Sequence, residues 1–288
     1  MNIENESKIF CERWNEILEI VANFRRNSLG NWVWFRGHND CDYKLDSGLF
    51  RVYDNSNKLG LNDYLRIEQR LGVNFKNQSS SFLKEDNWNM KFYMQHHGLK
   101  TRLLDWTDSF ITSLYFAFDG WDYDSEKNAC IWLLDPHALN LYFHKSTSIL
   151  TAESLISIYG DKDIARIFYE KENKLNNSFA MYPSKNNPRL LLQNGFFTVQ
   201  SNSLKDLETE IDSVCLEHKS KILKKIIISP HLVENVYEYL TMNGINHFTV
   251  YNDIDGLSHY LNVELTNNIY NEKLKYIAKF NGKAKLNR

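Results

Sequence analysis

The sequence predicts an α+β protein in which a mixed sheet is flanked by helices. Short apolar runs of strand character interleave with amphipathic helical segments, but the two kinds do not alternate strictly, so a regular βαβ repeat is not indicated. No internal repeat, low-complexity tract or clear linker divides the 288 residues. The apolar fraction of 43% and the charged fraction of 24% are those of an ordinary globular protein with a substantial core.

Helical periodicity and capping residues predict the helices. The first is an amphipathic segment whose apolar positions recur every three to four residues, and the fourth begins at a cap formed by Asp108 or Ser109. The predicted helices are residues 8–27, 61–83, 88–97, 108–118, 230–242 and 255–261.

Short runs of β-branched, aromatic and leucine residues predict the strands. Asn194-Gly195 is a pair typical of a hairpin turn and separates two of these runs. Residues 137–180 are weakly patterned and mostly helical. The predicted strands are residues 32–35, 102–106, 129–134, 190–193, 196–199, 225–229 and 248–251.

Charge and cysteine usage limit the classes of function. The net charge of −2 and the pI of about 6.5 give no general attraction to nucleic acid or to an anionic membrane. The four cysteines form no CxxC pair, which favours reduced thiols over a disulfide frame or a zinc site. No signal peptide or bilayer-length apolar run is present, so we expect a cytoplasmic protein without a membrane partner.

Three polar interruptions of apolar segments indicate a site. They are Arg36-Gly37-His38 after the strand 32–35, the cluster 95–109, and Arg189 with Gln193 beside Asn194-Gly195. Polar and titratable groups are costly to bury unless they are paired, so such clusters usually line a cleft. The alternative for residues 95–109 is a capped turn held by an Arg102–Asp105 salt bridge.

Each candidate residue in these clusters has a functional and a structural interpretation. The planar fork of arginine suits a diphosphate, but a single arginine is more often an ion-pair partner. His96 and His97 have the chemistry of a general acid or base, or are a hydrogen-bonded helix end and an exposed neighbour. Trp106 either stacks on a base or belongs to the core. No HExxH, P-loop, GxSxG or GxGxxG pattern is present, so no metal, nucleoside-triphosphatase, serine-hydrolase or dehydrogenase site is predicted.

At the same three interruptions the chain resembles the FRG domain family, which is named for a Phe-Arg-Gly motif, here Phe35-Arg36-Gly37. The family's long block Q-H-x-G-x-P-T-R-L-L-D-W-T, followed by a helix with A-L-x-F-A, is matched by residues 95–107 and 114–117. Its later R-x-x-x-Q-x-G-x-F block is matched by residues 189–197. An acidic residue followed by a phenylalanine is common in the intervening helix, and Glu68 with Phe75 fits.

The resemblance implies a domain organisation and shows two departures. It covers residues 28–200, which leaves an N-terminal helix at 1–27 and a C-terminal α/β extension at 201–288 packed on the same domain. His38 stands where a glutamine often follows the Arg-Gly pair, and Lys100 replaces the usual proline before Thr101. Both departures lie beside the predicted cleft, where they bear on the choice of ligand.

The order of these blocks is also similar, more weakly, to that of ADP-ribosyltransferases, which implies an ADP-ribosyltransferase-like core and NAD as substrate. By this analogy Arg36 holds the NAD diphosphate or ribose, Asp105 or Thr107 takes the second position, and Gln193 takes the third. Stabilisation of an oxocarbenium-like state normally favours a glutamate at the third position. Gln193 therefore points to an altered or inactive enzyme as the alternative.

The expected function is an ADP-ribosyltransferase-like effector or toxin in bacterial conflict or phage defence, with a nucleotide cleft and no metal. A protein or nucleic-acid target and a neutralising or sensor partner protein are implied. The alternatives are a non-catalytic nucleotide- or nucleic-acid-binding module and a metal-independent RNase. The predicted catalytic residues are Arg36, Asp105, Thr107, Gln193, His96 and His97, and the predicted ligand-binding residues are Gly37, His38, Thr101, Arg102, Trp106 and Arg189.

Overall fold

The computed structural model describes residues 9–81, 87–121, 127–159, 176–184 and 194–262. Within these ranges the chain forms the predicted α+β fold, a seven-stranded mixed sheet covered by helices on both faces. Neighbouring strands are antiparallel except for one parallel pair at the edge. No helix in the described part of the chain combines the length and the apolarity needed to cross a bilayer.

The sheet runs in the order β6-β7-β8-β4-β1-β5-β9, so β4 and β1 occupy its middle. A separate two-stranded ribbon, β2 with β3, lies between β1 and the second helix along the chain. The strands are β1 Trp34–His38, β2 Tyr53–Asp54, β3 Asn57–Lys58, β4 Leu103–Thr107, β5 Ala129–Leu134, β6 Leu150–Thr151, β7 Phe179–Tyr182, β8 Gly195–Val199 and β9 Leu223–Ile228.

Six of the helices, α1 to α4, α9 and α11, correspond to the predicted ones, while α5 and α6 lie in the weakly patterned segment 137–180, and α7 and α8 were not predicted. Ser109 caps α4 by accepting from the backbone N–H of Thr112, which confirms one of the two predicted caps. The helices are α1 Glu12–Asn27, α2 Leu61–Ser79, α3 Asn87–His96, α4 Phe110–Phe118, α5 Pro136–His144, α6 Ala152–Tyr159, α7 Leu207–Cys215, α8 Lys219–Ile222, α9 Val233–Met242, α10 His247–Tyr251 and α11 Ile254–Leu261.

The strand predicted at residues 248–251 is wrong, because this segment is the short helix α10. Asn246 and Thr249 form a reciprocal capping box, in which each side chain bonds the backbone N–H of the other residue. Asn252 ends the helix in the left-handed conformation. Four apolar or β-branched residues favoured a strand by composition, but the caps on both sides select a helix.

The strand predicted at residues 32–35 lies two residues later in the structure. Trp32 belongs to the preceding turn, and β1 continues through Arg36, Gly37 and His38. All five residues of β1 pair with β5, and Arg36 lies opposite Trp132. The Arg-Gly-His sequence is therefore a polar part of a central strand rather than an interruption after it.

Two apolar clusters fill the opposite faces of the sheet around β1 and β5. One packs Phe35, Ile131 and Leu133 against α1, α4 and α9. The other packs Trp34 and Trp132 against α5 and α7. The alternation of side chains along β1 and β5 assigns consecutive residues to opposite clusters, as expected for a strand covered on both faces.

A third apolar cluster covers the other half of the sheet with α3 and α6. Trp88 and Phe92 of α3 pack there on Phe197 and Val199 of β8. Phe197 lies opposite Asp105, so α3 covers β4 and β8 on the face that Asp105 shares with Phe197. Two helices, α3 and α4, thus lie over neighbouring halves of the sheet.

The sheet is split between its two middle strands. β4 pairs with β8 along five residues, whereas β4 and β1 pair only at Phe35 and Thr107. Beyond that pair the two strands separate towards Gly37 and Asp105. The separation opens a gap in the middle of the sheet, and the predicted site residues lie around it.

Candidate functional site

A cavity of about 710 Å³ lies over the gap between β1 and β4. Its volume falls within the range of small-molecule sites. The floor comes from β1, β4 and β8, and the walls come from the end of α3 and from α4. The described residues that line it are Phe35, Arg36, Gly37, Gln95, His96, His97, Gly98, Asp105, Trp106, Thr107, Ser113, Phe116, Asp119, Gly195, Phe196 and Phe197.

Arg36 lies in the gap and bridges the two strands. Its Nη1 donates to the backbone carbonyl of Asp105 at 2.8 Å and lies 3.9 Å from the Asp105 carboxylate. Its Nε donates to Nε2 of His38 at 2.9 Å. Burial lowers the pKa of Arg36 to about 10, against the opposing effect of Asp105, and the side chain stays charged at neutral pH. Within the described residues Nη2 donates to no other group, so this edge of the guanidinium remains available.

His38 holds the other side of the Arg36 guanidinium but does not line the cavity. It is buried, and burial together with the charge of Arg36 lowers its pKa to about 3. The imidazole is therefore neutral, and because Nε2 accepts from Arg36 the proton belongs on Nδ1. His38 orients the arginine in this structure, whereas the sequence predicted direct contact with ligand.

Asp105 presents its carboxylate to the cavity and is oriented by a short hydrogen-bonded chain. Gln95 Nε2 donates to Asp105 Oδ2 at 2.6 Å, and Thr101 Oγ1 donates to Gln95 Oε1 at 2.6 Å. The Thr101 hydroxyl itself accepts from the backbone N–H of Leu103, so its proton is directed to the glutamine. The amide orientation of Gln95 is thereby fixed. Oδ1 of Asp105 keeps its lone pairs free within the described residues.

The two predicted acid–base histidines lie side by side at the end of α3 and both line the cavity. The ring centroids of His96 and His97 are 4.8 Å apart, in an edge-to-face arrangement. Gly98 follows with a φ of 77°, a conformation that glycine adopts without strain and that turns the chain towards β4. This turn places both imidazoles at the mouth of the gap.

Trp106 and Thr107 contribute to the cavity mainly as buried floor. The indole of Trp106 packs in the apolar cluster under the sheet, and its Nε1 donates to Thr198 Oγ1 at 3.0 Å. Thr107 Oγ1 accepts from the backbone N–H of Ser109 at the start of α4. Trp106 therefore lies in the core, as one of its two interpretations predicted. Its ring is buried on the face of the sheet opposite α3 and α4.

Gly37 allows α4 to approach the sheet. A Cβ at this position would lie 2.0 Å from the carbonyl oxygen of Ser113 and 2.5 Å from the backbone nitrogen of Ala117. Both atoms belong to the main chain of α4, which cannot move aside as a side chain can. The glycine of the Phe-Arg-Gly motif thus permits close approach of another backbone, and this contact sets the cavity wall.

The structure does not bring Arg102 to the cavity. Its guanidinium is buried on Glu68 of α2, with Nε 2.9 Å from Oε1 and Nη2 2.5 Å from Oε2. Nη1 donates to the carbonyl of Gln200 and to Asn202 Oδ1. The Arg102–Asp105 salt bridge, which was the alternative interpretation of this segment, is replaced by an Arg102–Glu68 pair.

Glu68 is ionised in spite of its burial. Burial favours the neutral acid, but the fork of Arg102 and the ammonium of Lys91 overcome it and hold the pKa of Glu68 below its usual value. Lys91 Nζ lies 3.7 Å from Glu68 Oε1. This buried ion group joins α2, α3 and the start of β4, and so supports the helix that carries Gln95 and the two histidines.

Two predicted site residues, Arg189 and Gln193, lie outside the described residues. The segment that follows them begins β8 at Gly195, directly opposite Thr107. Gly195 and Phe197 both line the cavity, so the end of the third sequence block does reach the site. Asn194 adopts a φ of 45°, as the predicted Asn-Gly turn requires.

Sequence reasoning missed three residues that shape the site. Gln95 lies in the matched motif without a predicted role, and the signal that could have found it is an amide directly before the paired histidines. Phe116 of α4 and Asp119, which directly follows that helix, form the opposite wall, and Asp119 accepts from the hydroxyl of Tyr251 at 2.9 Å. Phe116 falls in the helix motif matched at 114–117, which gave it no place in the site, and no local pattern marked Asp119. The position of both residues depends on how closely α4 packs on Gly37.

Among the residues that the structure describes, one group of possible metal ligands occurs, away from the cavity. Asp40, Cys41 and Asp42 bring ligand atoms within 4.8 Å of one another, but Lys127 Nζ already bonds Asp40 Oδ2 at 2.6 Å. Exposed acidic groups of this kind are common without a metal. The group lies apart from the cavity, whose described charged and titratable side chains are one arginine, two aspartates and two histidines.

The comparisons with known proteins give one match. Residues 31–126 match the family model of the FRG domain, and no curated protein or solved structure matches the chain significantly. The matched range includes the Phe35-Arg36-Gly37 motif and the whole block at 95–107, while the third block at 189–197 lies beyond it. These two matched blocks supply the gap in the sheet, the guanidinium in it and the wall that carries the histidines. Residues 31–126 therefore match the FRG domain, as the two motif blocks in that range predicted.

Proposed function

We propose that the cavity binds a nucleotide of the NAD type and that the protein acts as an ADP-ribosyltransferase-like effector or toxin in bacterial conflict or phage defence. The observation that carries the proposal is the arginine in the gap of the sheet. Arg36 is held by His38 and by the Asp105 carbonyl, and one edge of its guanidinium remains available to a ligand. A preorganised guanidinium is well suited to phosphate or ribose oxygens.

The residues around Arg36 support the same proposal. Asp105 offers a carboxylate oxygen to the cavity. Thr107, two residues further along β4, lies opposite Gly195 of β8 and also lines the cavity. Both His96 and His97 line the cavity, and in this proposal one of them accepts a proton from the attacking nucleophile. The volume of about 710 Å³ is large enough for a substantial part of a dinucleotide.

Incubation of the purified protein with NAD labelled in the adenylate phosphate and with a bacterial cell extract tests the proposal. Label transfer to a macromolecule or release of nicotinamide is the expected result, and Arg36→Ala should abolish either one. Arg66→Ala is the matched control, because Arg66 is an exposed arginine on α2 away from the cavity. Absence of transfer, of nicotinamide release and of NAD binding by calorimetry would exclude the proposal.

A non-catalytic nucleotide-binding module gives a different result in the same experiment. Wild-type protein would bind NAD or ADP-ribose and lose that binding in Arg36→Ala, but nicotinamide would not be released. Gln193 in place of a glutamate is the feature of the sequence that favours this alternative.

A metal-independent RNase is the second candidate function, and the pair of histidines favours it. Two imidazoles 4.8 Å apart at the mouth of a cavity supply a general base and a general acid without metal. Cleavage of RNA in the presence of a chelator, with loss in His96→Ala and in His97→Ala, would support this function. Intact RNA would exclude it and leave the nucleotide proposal unaffected.

A further inference from the structure

Strand β9 forms one edge of the seven-stranded sheet, and its outer side is open. All six residues of β9 pair with β5, and no described strand lies on the other side. At the opposite edge, β6 has only two residues and offers little backbone for pairing. Since neither a proline nor a bulge interrupts β9, it presents a regular edge of the kind that another strand can extend.

The register of β9 on β5 shows which of its backbone groups point outward. The backbone N–H of Asp135 donates to the carbonyl of Ile222, so these two residues form a hydrogen-bonded antiparallel pair. Hydrogen-bonded and non-hydrogen-bonded pairs alternate along an antiparallel ladder. The N–H and C=O groups of Leu223, Lys225 and Ile227 therefore point away from β5. Among the described residues, none forms a hydrogen bond with these outward groups.

The side chains of β9 leave one half of this edge unprotected. Lys225 Nζ donates to the carbonyl of Cys41 and lies 4.9 Å from the centroid of the Trp132 ring, so its ammonium is held over the sheet. Lys224 is exposed, and so is Ile227 at 48%. A lysine on an edge strand opposes pairing, whereas an exposed isoleucine with outward backbone groups favours it. The half of β9 around Ile227 is therefore the part that accepts a further strand most readily.

We infer that β9 pairs with β9 of a second copy of this chain, antiparallel about a twofold axis at Ile226. Outward residues must face outward residues, so the axis passes through a residue rather than between two. With the axis at Ile226, Lys225 lies opposite Ile227 of the second copy. Lys224 then lies opposite Ile228 of the second copy. No lysine faces a lysine in this register, whereas an axis at Lys225 would place two like charges directly opposite each other.

The order of residues in β9 is thus complementary to itself when the strand is reversed, which selects a second copy as the partner. The two pairs of Lys225 with Ile227 supply about four backbone hydrogen bonds, and each exposed Ile227 is covered. A contact limited to one strand edge is smaller than a standard interface, so we expect a weak dimer with a micromolar dissociation constant. Because β5 separates β9 from the strands of the cavity, the inference does not depend on the proposed function.

Sedimentation velocity of the full chain at concentrations from about 1 to about 200 µM is the experiment. We expect the wild type to shift from monomer to dimer over this range. Ile227→Lys places a lysine opposite Lys225 of the second copy and should weaken the dimer at least about tenfold. Ile227→Glu places a carboxylate there instead and should dimerise at least about tenfold more tightly than Ile227→Lys. Val73→Lys is the matched control, because Val73 is 53% exposed on α2, and it should dimerise like the wild type.

The outcomes test the partner, the edge and the register in turn. A wild type that stays monomeric over the whole range overturns the inference. A dimer that Ile227→Lys leaves unchanged overturns the assignment to β9. Equal weakening by lysine and by glutamate overturns the register, because it shows that only the apolar side chain matters. Wild-type association is measured without any variant, so poor folding of a variant does not remove the test.

Discussion

Arg36 and Asp105 face each other across the point where β1 and β4 separate. Nη1 of the arginine donates to the backbone carbonyl of the aspartate at 2.8 Å, in a region where the two strands no longer pair. The side chain thus takes over a hydrogen bond that a continuous sheet would have supplied from its backbone. The same bond fixes the guanidinium at the floor of the cavity. Arg36 therefore both joins the two strands at the gap and is held in one orientation for a ligand.

Replacement of Arg36 by lysine should therefore reduce both stability and nucleotide binding. A single ammonium cannot reproduce the two bonds that Nε and Nη1 make to His38 and to the Asp105 carbonyl. We expect a loss of about 1–3 kcal/mol in the free energy of unfolding, measured by urea denaturation. Arg66→Lys should change it by less than about 0.5 kcal/mol. A wild-type unfolding curve for Arg36→Lys would contradict the bridging role.

The neutral His38 should make stability sensitive to acid. Its pKa is about 3 in the folded protein and near the ordinary 6.5 when unfolded, so the unfolded chain binds the extra proton between these values. This contribution is present above pH about 6.5 and is lost as the pH falls towards 3, at up to about 1.4 kcal/mol per pH unit. His38→Gln keeps an acceptor for Arg36 and does not titrate. The wild type should therefore lose more stability than His38→Gln on acidification.

Chemical denaturation of both proteins at several values between about pH 7 and about pH 5 measures this difference, since the carboxylates common to the two chains cancel. His38→Leu removes the acceptor as well and should also weaken nucleotide binding, whereas His38→Gln should retain it. Parallel pH profiles for wild type and His38→Gln would show that the histidine is not held neutral by the fold.

A methyl group at Gly37 should be strongly destabilising. It would overlap the main chain of α4 at Ser113 and Ala117, so the helix would have to leave the sheet. We expect a cost of about 3 kcal/mol or more for Gly37→Ala, seen as a large fall in the melting temperature. Gly72→Ala provides the opposite control, because Gly72 lies inside α2 with only an ordinary contact at 3.7 Å, and alanine should stabilise that helix by about 0.5–1 kcal/mol. Similar effects at the two positions would refute the role of close packing at Gly37.

Breaking the buried pair of Arg102 and Glu68 should cost more than removing both partners. Glu68→Leu leaves a buried guanidinium without its carboxylate, for which we expect a loss of about 3–5 kcal/mol. The double variant Glu68→Leu with Arg102→Met should recover part of this loss. A double-mutant cycle by urea unfolding gives the coupling energy, and simple additivity of the two single variants would mean that the pair is not coupled.

Much of the fold could be predicted from local pattern. The central strands, the cap of α4 at Ser109 and the long amphipathic helices all follow from periodicity and capping residues that act within a few positions. The prediction for residues 248–251 was wrong because their composition favours a strand. The capping residues Asn246 and Asn252, which select the helix, lie outside the apolar run.

The sequence predicted several of the residues that line the cavity, but not which side chains bond to one another. Arg36, His96, His97, Asp105 and Thr107 do lie around one cavity. Arg102 and Asp105 are three positions apart, and side chains three apart in a strand point to opposite faces, so the predicted pair could not form once β4 was extended. The true partner of Arg102, Glu68, lies 34 residues earlier and is brought to it by the packing of α2.

The sequence by itself therefore determined the class of fold, the presence of a strand next to Arg36-Gly37 and the polar block that follows α3, because propensity, periodicity and motif spacing are local properties. Only the tertiary structure decided that β1 and β4 separate after Phe35 and Thr107, and that Arg36 lies in the resulting gap. It also decided that Arg102 forms an ion pair with Glu68 in the interior. The register of the strands and the packing distance of the helices depend on contacts between segments that are distant in the sequence. These contacts place Arg36 at the cavity and Arg102 in the core.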